Sequence, residues 1–252
     1  MFTSFANCLA HTEAKLNRIH SSADLERATS QLRRPFYPLN YNLDKISLPQ
    51  HIIAAGEHPS LSHLQDLGPG HETVKTVIQL LRQRITATKS GMDPTLRDVR
   101  TLSFSAAFLA LDHVEDVPIT PEEQCLHSLL LAAHLFICGA LRQDHGWTRS
   151  LPWAMTQRLR ESLGDEDSLM YSTIWTDHLP ELVWVLFVGA VISEEHSKGN
   201  GIWFVSRLEV VRKLVGCDTR LKFERYLHSV VWDDIYGVDL LNYWWAGESS
   251  RR

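Results

Sequence analysis

Three groups of side chains have the types and spacing to do chemistry. Glu123, His127 and His134 stand at i, i+4 and i+11, along one side of a helix. Carboxylate and imidazole both ligate zinc or iron, so this row is a candidate metal site. Asp112-His113-Val114-Glu115-Asp116 is a candidate metal or acid/base cluster that needs partners from elsewhere. Asp233-Asp234 reads as paired carboxylates, but neighbours on a helix point about 100° apart and do not face each other. Plainer readings are preferred in each case. Glu123 is a capping residue, the two histidines are core or boundary residues, and the acidic run is a helix end with its loop.

Other chemistry is absent from the sequence. Cys8, Cys125, Cys138 and Cys217 are never closer than 13 positions, which excludes a CxxC zinc site and a disulfide scaffold. Free thiols in a reducing compartment are expected. No nucleophile elbow, phosphate loop, dinucleotide glycine pattern or HExxH occurs. Gly199-Asn200-Gly201 precedes a helix but follows no strand, so it is not read as a phosphate loop. The expectation is no catalytic residue, no metal and no cofactor.

The elements that position these residues come from periodicity. The chain has 252 residues, 44% hydrophobic and 22% charged, which suits one large helical core. Its net charge of −5 argues against holding DNA unaided. The block Leu182 to Ile192 is apolar on all sides over 11 residues, too short to span a membrane, which takes about 20. A helix over 180–195, buried on most of its surface, is predicted, with Gly189 admitting a close neighbour. Leu126 to Leu141 carries His127 and His134 and is read as a core helix. No membrane association and no secretory leader are expected.

Val74, Val77, Ile78, Leu81 and Ile85 share one helical face, closed by Lys89 and Gly91. Asp93-Pro94 is read as the start of the next helix, running to near Val114. Thr120-Pro121-Glu122-Glu123 is a capping box opening a helix that fades by Gly146. Trp147 to Leu163 predicts a short helix closed by Gly164. Asn200 or Gly201 opens a helix that Gly216 ends, and Thr219 caps the last long one. Tyr243-Trp244-Trp245 is either a docked aromatic plug or frayed. No strand alternation appears. The fold class is all-α, about seven to nine helices around one core. Residues 1–34 form a loosely attached N-terminal helix with a basic end, 35–70 are irregular, 71–235 are the core and 236–252 a tail.

Leu179-Pro-Glu-Leu-Val-Trp-Val-Leu-Phe-Val-Gly-Ala, then Trp203-Phe-Val-Ser-Arg-Leu, then Leu214-Val-Gly and the Phe223 to Trp232 helix follow one another over about 55 residues. In this order they resemble the fungal-specific transcription factor domain, the all-helical regulatory region of fungal zinc-cluster transcription factors. Small-residue pair Gly189-Ala190 and the Val231-Trp232-Asp233 step carry the likeness. The resemblance implies transcription regulation in the nucleus, through a small-molecule effector or partner protein, often as a homodimer. The family's N-terminal cluster of six cysteines is not in this chain, so no direct DNA contact is expected. Either the chain is part of a longer product or it is a free-standing regulatory domain. His134, Trp184, Phe187, Trp203, Phe204 and Trp232 are the candidate effector-pocket or core signature. The alternatives are a helical metal-dependent enzyme acting through His127 and His134, or a ligand-free interaction scaffold.

Overall fold

The computed structural model describes residues 23–36 except 26 and 30, 46–57, 64–141, 152–164, 173–196, 198–234 and 236–245. Among the described residues ten α-helices have both ends placed: α1 (Gln50–Gly56), α2 (His71–Lys89), α3 (Arg97–Leu111), α4 (Pro121–Ala140), α5 (Pro152–Leu163), α6 (Thr173–Asp177), α7 (Leu179–His196), α8 (Lys198–Leu214), α9 (Arg220–Val230) and α10 (Val238–Trp245). The protein is all-α, and no strand occurs among the described residues. The count exceeds the expected seven to nine because α1, α6 and α10 are short. Helices of five to eight residues give too few turns for periodicity to register.

α7 is central. Every residue from Glu181 to Ser193 is buried. α7 packs most extensively on α8, then on α4, α9 and α5, while α2, α3 and α4 form a second run of neighbours. A Cβ on Gly189 would lie 2.5 Å from the Phe204 ring, so glycine sets how closely α8 approaches. A Cβ on Gly139 would likewise meet Ile192 at 2.5 Å where α4 crosses α7. One cluster of buried apolar side chains runs from Leu25 to Trp245.

Local chemistry fixes the helix ends. The capping box forms as read: the Glu123 amide donates to Thr120 Oγ1 at 3.2 Å and the Thr120 amide donates to Glu123 Oε2 at 3.2 Å. Thr219 caps α9, its hydroxyl accepting from the Lys222 amide at 3.3 Å. Gly216, at φ +65°, closes α8, with the Cys217 amide donating to the Arg212 carbonyl at 2.9 Å. α3 departs from expectation. Asp93 Oδ1 accepts from the Thr95 amide at 2.8 Å and its hydroxyl at 2.7 Å, which holds 93–95 in a turn. The helix therefore starts at Arg97.

α10 lies in the stretch read as a tail. Trp245 is buried against Phe223, centroids 5.4 Å apart, with the Arg212 guanidinium 5.3 Å from its ring centroid. The side chains of Tyr243 and Trp244, residues 1–22 with Cys8, and the expected features at Gly146 and Trp147 lie outside the described residues. Cys125, Cys138 and Cys217 are buried free thiols, and burial pushes Cys125 up in pKa. By length and composition α4 could cross a membrane, but 78% of its apolar window is buried inside the fold.

Candidate functional site

A cleft of about 450 Å³ opens where three pieces of chain meet. They are the Pro69–Gly70 turn before α2, the loop from α3 to α4, and the first turns of α4. Gly70, at φ +100°, turns the chain into α2 and lies over Leu126. The α3–α4 loop is pinned at both ends. The Val114 amide donates to the Leu111 carbonyl at 3.1 Å and the Asp116 amide to the His113 carbonyl at 3.2 Å. At the other end Glu123 Oε2 accepts from the Ile119 amide at 2.8 Å as well as from Thr120. Between these anchors Val117 is 77% exposed and Ile119 is 89% exposed, on either side of Pro118.

The polar groups of the rim come from the acidic run. His113 Nδ1 stands 2.8 Å from Asp116 Oδ2, and the Arg34 guanidinium pairs with Asp116 Oδ1. Burial works to raise the Asp116 pKa, but the His113 hydrogen bond and the Arg34 charge outweigh it and leave it lowered. The amides of Ile119 and Thr120 hold Glu123 low as well. Both carboxylates are therefore anions at neutral pH. Residues 112–123 contain five carboxylates (Asp112, Glu115, Asp116, Glu122, Glu123) and no lysine or arginine.

The floor is Leu126, His127 and Leu130 of α4. His127 Nδ1 lies 2.9 Å from Ser162 Oγ on α5, and that oxygen lies 3.0 Å from Ser128 Oγ. Burial pulls the His127 pKa down, the Val114 carbonyl opposes it and Arg158 adds to it. The ring is neutral at physiological pH. Ser162 is not among the residues lining the cleft, and no serine, threonine, cysteine or lysine is. The cleft can bind by shape and charge, but its described lining offers no hydroxyl, thiol or amine nucleophile.

The metal row does not converge. Positions 123 and 134 are separated by about 16 Å of helix rise, beyond one ion's reach. No group of three or more His, Cys, Asp or Glu placed to hold a metal occurs among the described residues. Glu123 serves as the cap, while His127 and His134 are buried on α4. Asp233 and Asp234 follow α9, and Asp234 pairs with Lys89 at 2.6 Å and His228 at 3.4 Å.

None of the six signature residues lines the cleft. Trp184, Phe187, Phe204, Trp232 and His134 are buried. Phe187 stacks edge-on with Phe223 at 5.4 Å and with Trp232 at 5.2 Å. Trp203 is half-buried, with the guanidiniums of Arg160 and Arg207 at 5.4 and 5.5 Å from its ring centroid. Sequence reasoning passed over Arg82. It is buried in α2, donates from Nε to the Val230 carbonyl at 2.5 Å, and also donates to the Ser229 carbonyl. Burial brings its pKa down to about 10, with Glu181 opposing. The signal was an arginine four residues after Ile78, beside the apolar stripe of α2.

Comparison with family models, curated proteins and solved structures gives no match to this chain.

Proposed function

We propose that the chain is a helical regulatory domain of the kind found in fungal zinc-cluster transcription factors, acting in the nucleus and without catalysis of its own. The supporting observation is the packing of its three C-terminal segments. Leu182–Ile192, Trp203–Leu208 and Phe223–Trp232 carry the family likeness, and their inward side chains belong to one apolar cluster. The acidic lip at 112–123 agrees with a chain that meets other proteins instead of DNA. A partner or effector that prefers one arrangement of the helices would shift the population between active and inactive forms. Self-association into a homodimer is part of this reading, as is a small-molecule effector.

The test is a tethered reporter. The chain is fused to an unrelated DNA-binding module in a fungal nucleus, and output from that module's promoter is measured. A change of about threefold or more in either direction supports regulation. Output equal to the module alone, or a gel shift by the unfused chain at physiological salt, refutes it.

A further inference from the structure

We propose that the cleft between the Pro69–Gly70 turn and the 113–119 loop docks a segment of a partner protein in which arginine stands beside large apolar side chains. The proposal deepens the regulatory reading by naming what its partner presents. It rests on that reading for its purpose only, because peptide binding is measured without any transcriptional output.

Charge supplies the first argument. Asp116 and Glu123 are ionised at the rim, within a run of five carboxylates that contains no lysine or arginine, and the Arg34 guanidinium reaches Asp116 alone of these from outside the run. An anionic segment would be repelled and a cationic one drawn in. Shape and polarity supply the second. Val117 and Ile119 stand out into solvent beside a floor of Leu126 and Leu130, so an apolar side chain entering the cleft is contacted on two sides. At about 450 Å³ the space takes one or two side chains of a peptide. The third argument is internal to the chain. Arg34 already pairs its guanidinium with Asp116, so a carboxylate of this rim takes an arginine as its partner. A partner's arginine would take that place and release the Arg34 segment.

The probe is a fluorescein-labelled hexapeptide of alternating arginine and leucine, titrated with the full chain and read by anisotropy. Two matched peptides, arginine–serine and glutamate–leucine, separate charge from apolar contact. The arginine–leucine peptide is expected to bind about tenfold tighter than either. Val117→Ser combined with Ile119→Ser should weaken it about fivefold, with no change in thermal midpoint, because both side chains are exposed. Arg34→Gln should tighten it about threefold, and by more than Arg225→Gln on α9, which changes net charge equally. Equal binding of arginine–serine and arginine–leucine overturns the proposal. So does wild-type affinity in the double serine variant, or an Arg34→Gln effect no larger than that of Arg225→Gln.

Discussion

The indole Nε1 of Trp184 donates to the carbonyl of Val231 at 2.7 Å, and both groups are buried. This bond joins the second turn of α7 to the residue at which α9 ends. With Arg82 donating to Ser229 and Val230, three successive carbonyls are taken by side chains from two other helices. Helix carbonyls at a C-terminus have no partner in their own helix, so these bonds stand where an α9 end buried in the core would otherwise be destabilising. The Val231-Trp232-Asp233 step thus leaves the helix against the central tryptophan.

Trp184→Phe keeps a ring but removes the donor. The Val231 carbonyl stays buried, and leaving it unpaired costs about 1–3 kcal/mol. Urea unfolding followed by circular dichroism should show that loss of stability with unchanged helix content. Wild-type stability would mean the bond contributes nothing.

Gly189→Ala sets two effects against each other. Alanine is better in a helix by about 1 kcal/mol, while forcing a methyl group into a filled core costs about 1–3 kcal/mol. The added carbon would lie 2.5 Å from two atoms of the Phe204 ring, so the clash should win. Net destabilisation is expected, relieved in part when Phe204→Leu is added. A more stable single variant would contradict the close approach of α7 and α8.

His127 should make the fold acid-sensitive. Its folded pKa lies below the ordinary 6.5, chiefly through burial, so the unfolded chain binds the proton more tightly. Stability is full above pH 6.5 and falls as pH drops from there to the lowered folded value. The charged groups acting on the ring are Arg158, Asp116 and His113. Urea midpoints between pH 7.5 and 5 should fall for the wild type and fall less for His127→Gln, which keeps an amide for Ser162. Parallel curves would remove His127 as the cause.

Thr120→Ala removes one half of the capping box at the start of α4. The Glu123 amide loses its acceptor, and a cap of this kind contributes about 1 kcal/mol. The loss should appear in the unfolding free energy, and peptide binding should weaken too, because Glu123 and Ile119 frame the cleft. A loss of stability with full binding would separate the cap from the site.

Much of this architecture can be read from local chemistry. An apolar block without a polar side announces α7, Thr120 with Glu123 announces the start of α4, and Gly189 announces a close crossing. The start of α3 misled because Asp93-Pro94 has the composition of a helix start, yet the Asp93 side chain binds Thr95 in a turn. The cleft was hidden for a different reason. Pro69, Ile119 and Leu130 come from three separate stretches, and no periodicity records that they meet. Aromatic side chains do not announce whether they line a pocket or fill a core, and Trp184, Phe187, Phe204 and Trp232 fill one. The visible clue was two large apolar residues, Val117 and Ile119, inside an acidic loop.

The proposed regulatory reading rests on α7, α8 and α9 sharing one interior. Native-state amide exchange reads that directly. Amides from Val183 to Ile192, from Phe204 to Val211 and from Phe223 to Val230 should open with one shared free energy, equal to that of global unfolding. Opening of the α8 and α9 amides several kcal/mol below that of α7 would mean that the three segments do not share an interior, and the regulatory reading built on them would fall.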